Sequence, residues 1–93
     1  MTKIANTTGV VTDPSQIEPL IAGTLALMTR YPAGPCVCVS ERIGENLLQL
    51  SVCQFLSPAL RTLCDRLKAD WQQTTATLHH EIAVHELHHA TLQ

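Results

Sequence analysis

Apolar side chains recur along this chain at intervals of three and four residues, in three separate runs. That spacing lines one face of an α-helix. Ile17, Leu20, Ile21, Thr24, Met28 and Tyr31 share the first face. Asp13-Pro14 marks its entry, and Ser15-Gln16-Ile17-Glu18 has the form of a capping box with Ser15 as N-cap. Tyr31-Pro32-Ala33-Gly34-Pro35 stops it.

The second run is Cys36, Val39, Ile43, Leu47 and Leu50, with Glu41, Arg42, Glu45, Asn46 and Gln49 on the other side. Gly34 before Pro35 fits a helix start with proline at its first position. The same stretch also carries β character. Cys36-Val37-Cys38-Val39 is a strand-forming run, and Gly44-Glu45 would turn a hairpin over 36–53. In a segment this long, periodicity outranks local propensity, so the helix is preferred.

After a short apolar connection, Val52 to Leu56, expected to be buried, Ser57-Pro58 supplies an N-cap and a first-turn proline. The third run follows as Leu60, Leu63 or Cys64, Leu67, Trp71, Leu78 and Ile82, and its phase continues through His85 and His89 to Leu92. Arg61 with Asp65, and Arg66 with Asp70, stand four apart as surface pairs. Thr74, Thr75 and Thr77 weaken the helix locally. No glycine or proline follows Pro58, and the apolar phase carries across, so one continuous helix is expected.

The pattern predicts an all-α fold: a small bundle of three helices over about 16–31, 35–51 and 57–92. The alternative is an α+β fold with the 36–53 hairpin. Residues 1–12 read as a flexible N-terminal arm, from which Ile4, Val10 and Val11 can dock, and 13–93 as a single helical domain. A last helix of that length spans roughly 50 Å, whereas each of its predecessors covers only about 22 Å. The uncovered half carries Leu78, Ile82, His85, His89 and Leu92 on one face. A second copy of the chain, its long helix antiparallel to the first, is the expected cover, so these five residues form the candidate dimer interface.

Composition supports a packed helical protein. The chain has 93 residues, 45% apolar, and only Tyr31, Phe55 and Trp71 are aromatic, so the core is aliphatic. A chain of this size buries only about 60–65% of its unfolded surface, which leaves it dependent on help from outside. Six basic against eight acidic side chains give a net charge of −2, without the dense Lys/Arg footprint of a nucleic-acid or anionic-membrane partner. Met1 to Val11 has a single lysine and no apolar run, unlike a signal peptide, and no stretch has the ~20 apolar residues of a membrane span. The expected location is cytoplasmic, where thiols stay reduced.

Candidate chemistry is concentrated at the C-terminus. All five histidines, His79, His80, His85, His88 and His89, lie within eleven residues, with Glu81 and Glu86 among them. Imidazoles four apart share a helical face, so Glu81, His85, Glu86, His88 and His89 are the candidate ligands for a zinc, nickel or copper ion. Three donors spread along one helix cover ~12 Å, so the set is complete only with ligands from a neighbour. His85-Glu86-Leu87-His88-His89 also resembles the signature of the zinc metalloproteases called zincins. The resemblance covers five residues and implies His85 and His89 as zinc ligands with Glu86 as general base. It comes without the third ligand or cleft such enzymes use, and a non-enzymatic protein is the expectation. With no metal, the same histidines are interface and surface groups whose protonation near pH 6 loosens a dimer.

Cys36, Cys38, Cys53 and Cys64 match no standard zinc-ribbon spacing. Cys36 and Cys64 fall on apolar helix faces, so the expected role is that of small core hydrophobes rather than a thiolate metal site or redox pair. No cofactor is called for. The sequence reading is a dimeric adaptor or regulatory protein that presents a surface to a protein partner, with a metal-binding or metal-sensing module built on residues 79–89 as the alternative.

Overall fold

In the computed structural model, the described residues are 11–91 for the backbone and 11–87 for side chains. They form three α-helices and no strand: α1 (Ile17–Arg30), α2 (Val37–Ser51) and α3 (Pro58–Thr91). One 3-10 turn, Pro14–Gln16, leads into α1, and another, Tyr31–Ala33, leads out of it. The expected N-terminal arm lies outside the described residues except at Val11 and Thr12, and Val11 is buried.

The entry to α1 is capped differently from the sequence expectation. Asp13, not Ser15, is the N-cap: its carboxylate accepts the Ser15 amide at 2.9 Å. Gln16, not Glu18, completes the box, its side-chain oxygen accepting the Asp13 amide at 3.0 Å and the Thr12 amide at 2.9 Å. Pro14 explains the shift. Its fixed φ and missing N–H suit the first position of a turn, which places the cap at the residue just before it, Asp13.

α2 is the centre of the molecule. Ser40, Ile43, Gly44, Asn46, Leu47 and Leu50 are all buried, and Cys53, just past its end, is 2% exposed. Asn46 therefore lies inside, against the expectation that it faces solvent. α2 starts at Val37 rather than Pro35, with Cys36 as the extended cap residue. α1 packs on one side of α2 and buries Thr24, whose hydroxyl donates to the Leu20 carbonyl at 2.7 Å. α3 packs antiparallel along α2 as well. The start of α2 meets the middle of α3 through Ser40 and Thr75, and its end lines a groove with Pro58 and Arg61.

α3 is continuous through Thr74, Thr75 and Thr77, and the first two bind themselves into the helix. Thr74 donates to the Asp70 carbonyl at 3.1 Å and Thr75 to that of Trp71 at 3.0 Å. The Ser57 hydroxyl accepts the Leu60 amide at 3.2 Å, the expected cap. Asp65 pairs with Lys68 at 3.1 Å. The connection before α3 is only partly buried, contrary to expectation: Val52 is 61% exposed and Phe55 is exposed as well.

The 34 residues of α3 amount to about 51 Å of helix, matching the 54 Å long axis of the molecule. The radius of gyration, 16.2 Å, exceeds the roughly 12 Å of a compact chain of this length.

Candidate functional site

Half of α3 lies alongside α2, and the other half extends past it. On the packed half, Cys64, Leu67, Lys68, Trp71, Thr74, Thr75 and Leu78 are half-buried, while Leu60 and Leu63 stay exposed. No side chain of α3 among the described residues is fully buried. Tyr31 closes one flank by setting its ring edge-on to Trp71, with centroids 5.0 Å apart and an interplanar angle of 89°.

The contact between α2 and α3 is tied by two hydroxyls. Ser40 Oγ and Thr75 Oγ1 lie 2.8 Å apart, Ser40 Oγ is also 3.0 Å from the Val37 carbonyl, and Thr75 has its bond to Trp71. Two hydroxyls own only two protons, so three such bonds cannot form together. One hydroxyl must release its own helix carbonyl to donate across the interface. The join is polar, satisfied and restricted to facing residues, which fixes the register of α3 on α2. Sequence periodicity gave no sign of this pair, because small hydroxyls score as neither core nor surface.

One helical turn further on, His79 Nε2 lies 3.6 Å from Glu41 Oε2 of α2. Tyr31 and Pro35 line a shallow groove with Gln73, Thr77, Leu78 and Glu81. From His79 to Leu87 every residue is exposed. On this projecting segment Leu78 and Ile82 continue the face that packs on α2, and His85 follows in phase, as the sequence predicts. Val84 and Leu87 occupy nearly the opposite face. They are 50% and 70% exposed and had no place in the sequence-level stripe.

Of the candidate metal ligands, Glu81, His85 and Glu86 are exposed. His88 and His89 lie on the helix, but their side chains, like Leu92, lie outside the described residues. Among the described residues no three His, Cys, Asp or Glu side chains converge on one point. His79 lies against Glu41 of α2.

The cysteines divide. Cys53 is core, as expected, and Cys64 is half-buried, its thiol pKa pushed up by burial. Cys36 and Cys38 are exposed, which overturns the core assignment of Cys36. As the cap residue, Cys36 turns away from the face that buries Ile43. Its sulfur makes no well-aligned capping bond, yet the nearby Val39 and Cys38 amides, and then the Cys38 thiol, hold its pKa below the ordinary thiol value.

No helix among the described residues is long and apolar enough to cross a membrane. Compared with family models, with curated proteins and with solved structures, the chain matches none.

Proposed function

We propose that this protein is a non-enzymatic, dimeric interaction module, a cytoplasmic adaptor or regulator built around α3. The supporting observation is that its longest helix buries no side chain fully and projects past α2 with apolar residues on two opposite faces. A helix that is apolar on opposite sides is stable when covered on both. The two faces have different tasks in this reading. Leu78, Ile82, His85, His89 and Leu92 pair with the same face of a second copy, whose α3 runs antiparallel about a two-fold axis near His85. Val84 and Leu87 then remain on the outside of the paired helices, available to a protein partner that offers an apolar groove.

Sedimentation equilibrium of the full chain over micromolar concentrations tests the pairing. A reversible monomer–dimer equilibrium is expected, and a monomer at about 100 μM removes the reading, since an association weaker than that contributes little stabilisation.

The second reading, a metal-binding module, is favoured by a specific placement. Glu81, His85 and Glu86 are all exposed on the projecting segment, where an antiparallel twin brings a second set of donors within reach. Calorimetric titration with Zn²⁺, Ni²⁺ and Cu²⁺, with a His85→Ala/His89→Ala control, separates the two. Stoichiometric binding lost in the control supports the module, and absence of binding leaves the adaptor alone.

A further inference from the structure

The four cysteines fall into two classes set by the fold. Cys53 and Cys64 are shielded by the packing of α2 and α3, whereas Cys36 and Cys38 are exposed together where α2 begins. Cys36 sits outside the helix in extended conformation, with φ −153° and ψ 135°, and its carbonyl accepts the Ser40 amide at 3.0 Å. Cys38 is the second residue of the first turn. Two accessible thiols two residues apart, one of them on the extended cap residue and not in the helix, can meet once that cap residue moves.

We propose that Cys36 and Cys38 form a thiol–disulfide exchange site for low-molecular-weight disulfides of the glutathione type, with Cys36 as the attacking and Cys38 as the resolving sulfur. The Cys36 thiolate attacks one sulfur of the small disulfide, forms a mixed disulfide and releases the other half as a thiolate. Cys38, having lost its proton to solvent, attacks Cys36 Sγ. The Cys36–Cys38 bond forms, and the second small thiolate leaves and takes up a proton. The two chain thiols are oxidised by two electrons, and the small disulfide is reduced to two thiols.

The lowered pKa of Cys36 favours the first step, because the thiolate is the nucleophile. The bridge needs Cβ atoms about 3.8 Å apart, so closure swings the cap residue inward. The contact that gives way is the Ser40 amide bond to the Cys36 carbonyl. Oxidation therefore frays the first turn of α2, the turn in which Ser40 meets Thr75.

The test uses the full chain, reduced, freed of reductant and exposed to glutathione disulfide near neutral pH. Alkylation and peptide mass mapping follow, and amide exchange is read in parallel. Wild type is expected to end with the Cys36–Cys38 bridge and faster exchange at the Ser40 amide, with Cys53 and Cys64 alkylated only after unfolding. Cys38→Ser should stop at a glutathione adduct on Cys36. Cys36→Ser should react about tenfold more slowly or less, as expected of a pair that has lost its activated member. Both side chains are exposed, and circular dichroism confirms that the variants fold. Persistence of the mixed adduct in wild type, an undiminished rate in Cys36→Ser, or a disulfide joining two chains would overturn the assignment.

Discussion

Ile82→Ala is the sharpest perturbation of the proposed pairing. Ile82 is 47% exposed in the single chain, so about half of its side chain is still to be covered. Truncation to alanine removes three carbons, worth about 2.4 kcal/mol if wholly transferred from water at ~0.8 kcal/mol each. Scaled by the exposed half, that is about 1.1 kcal/mol per chain. A two-fold dimer counts the change twice, giving about 2.2 kcal/mol, or roughly a 40-fold weaker dimer. Alanine is also the better helix former, so the projecting segment keeps its helicity and the loss falls on association. Sedimentation equilibrium of wild type and variant measures the ratio, with Val84→Ala as the control on the opposite face. A dimer that forms but is equally tight in Ile82→Ala would place the contact elsewhere on α3 and refute the assignment of this face.

Two further outcomes follow from the packing. Gly44 lies inside α2, and a Cβ built on it meets nothing within 4 Å, so Gly44→Ala should stabilise the chain by about 0.5–1 kcal/mol, read as a higher midpoint in urea. An unchanged or lower midpoint would show that the helix needs the glycine. The second concerns Asp13, whose carboxyl pKa is held below 3.8 by hydrogen bonds from Ser15. A depressed acid contributes stability that is complete above the unfolded pKa and is lost as pH falls through the folded one. The difference in melting temperature between wild type and Asp13→Ala should therefore be constant above about pH 4 and shrink below it. A difference independent of pH across that window would exclude the carboxylate cap.

The helices were legible because their signals are redundant. Ser57-Pro58 opens α3, the Tyr31–Pro35 stretch closes α1, and the Ile43, Leu47, Leu50 spacing identifies the buried face of α2. Continuity through the threonines was legible too, since no breaker interrupts the apolar phase. The cap at Asp13 was missed because Ser15-x-x-Glu18 is as good a capping box on paper, and only the turn set by Pro14 decides between them. The hydroxyl join of Ser40 and Thr75 left no trace in a hydrophobic pattern. Cys36 was misplaced because periodicity counts it as apolar, whereas a cap residue does not share the helical phase. The stripe through Leu78 and Ile82 was legible, but the exposed Val84 and Leu87 lie off the phase it follows.

Periodicity alone does not show which helix carries the core. Periodicity gives α3 the longest apolar run, yet every fully buried side chain from Ser40 to Cys53 belongs to α2 or its immediate end. The reason is positional. α2 is covered by both α1 and α3, whereas α3 is covered by α2 along a length of about 22 Å, with Tyr31 added at one flank. A run of apolar positions records only that a face needs cover, not that its own chain supplies it. In α2 the need is met within the protomer. In α3 it is met in part, at Leu67, Trp71 and Leu78, and left open at Ile82. The unfilled remainder begins where the polar links Ser40–Thr75 and Glu41–His79 end the contact with α2. The first is buried at Ser40 with its hydroxyl satisfied, and the second is exposed, so the contact passes from interior to solvent within one turn of α3. The two links divide α3 into a segment fixed in register on α2 and a segment that projects beyond it, and the proposed assembly rests on that division.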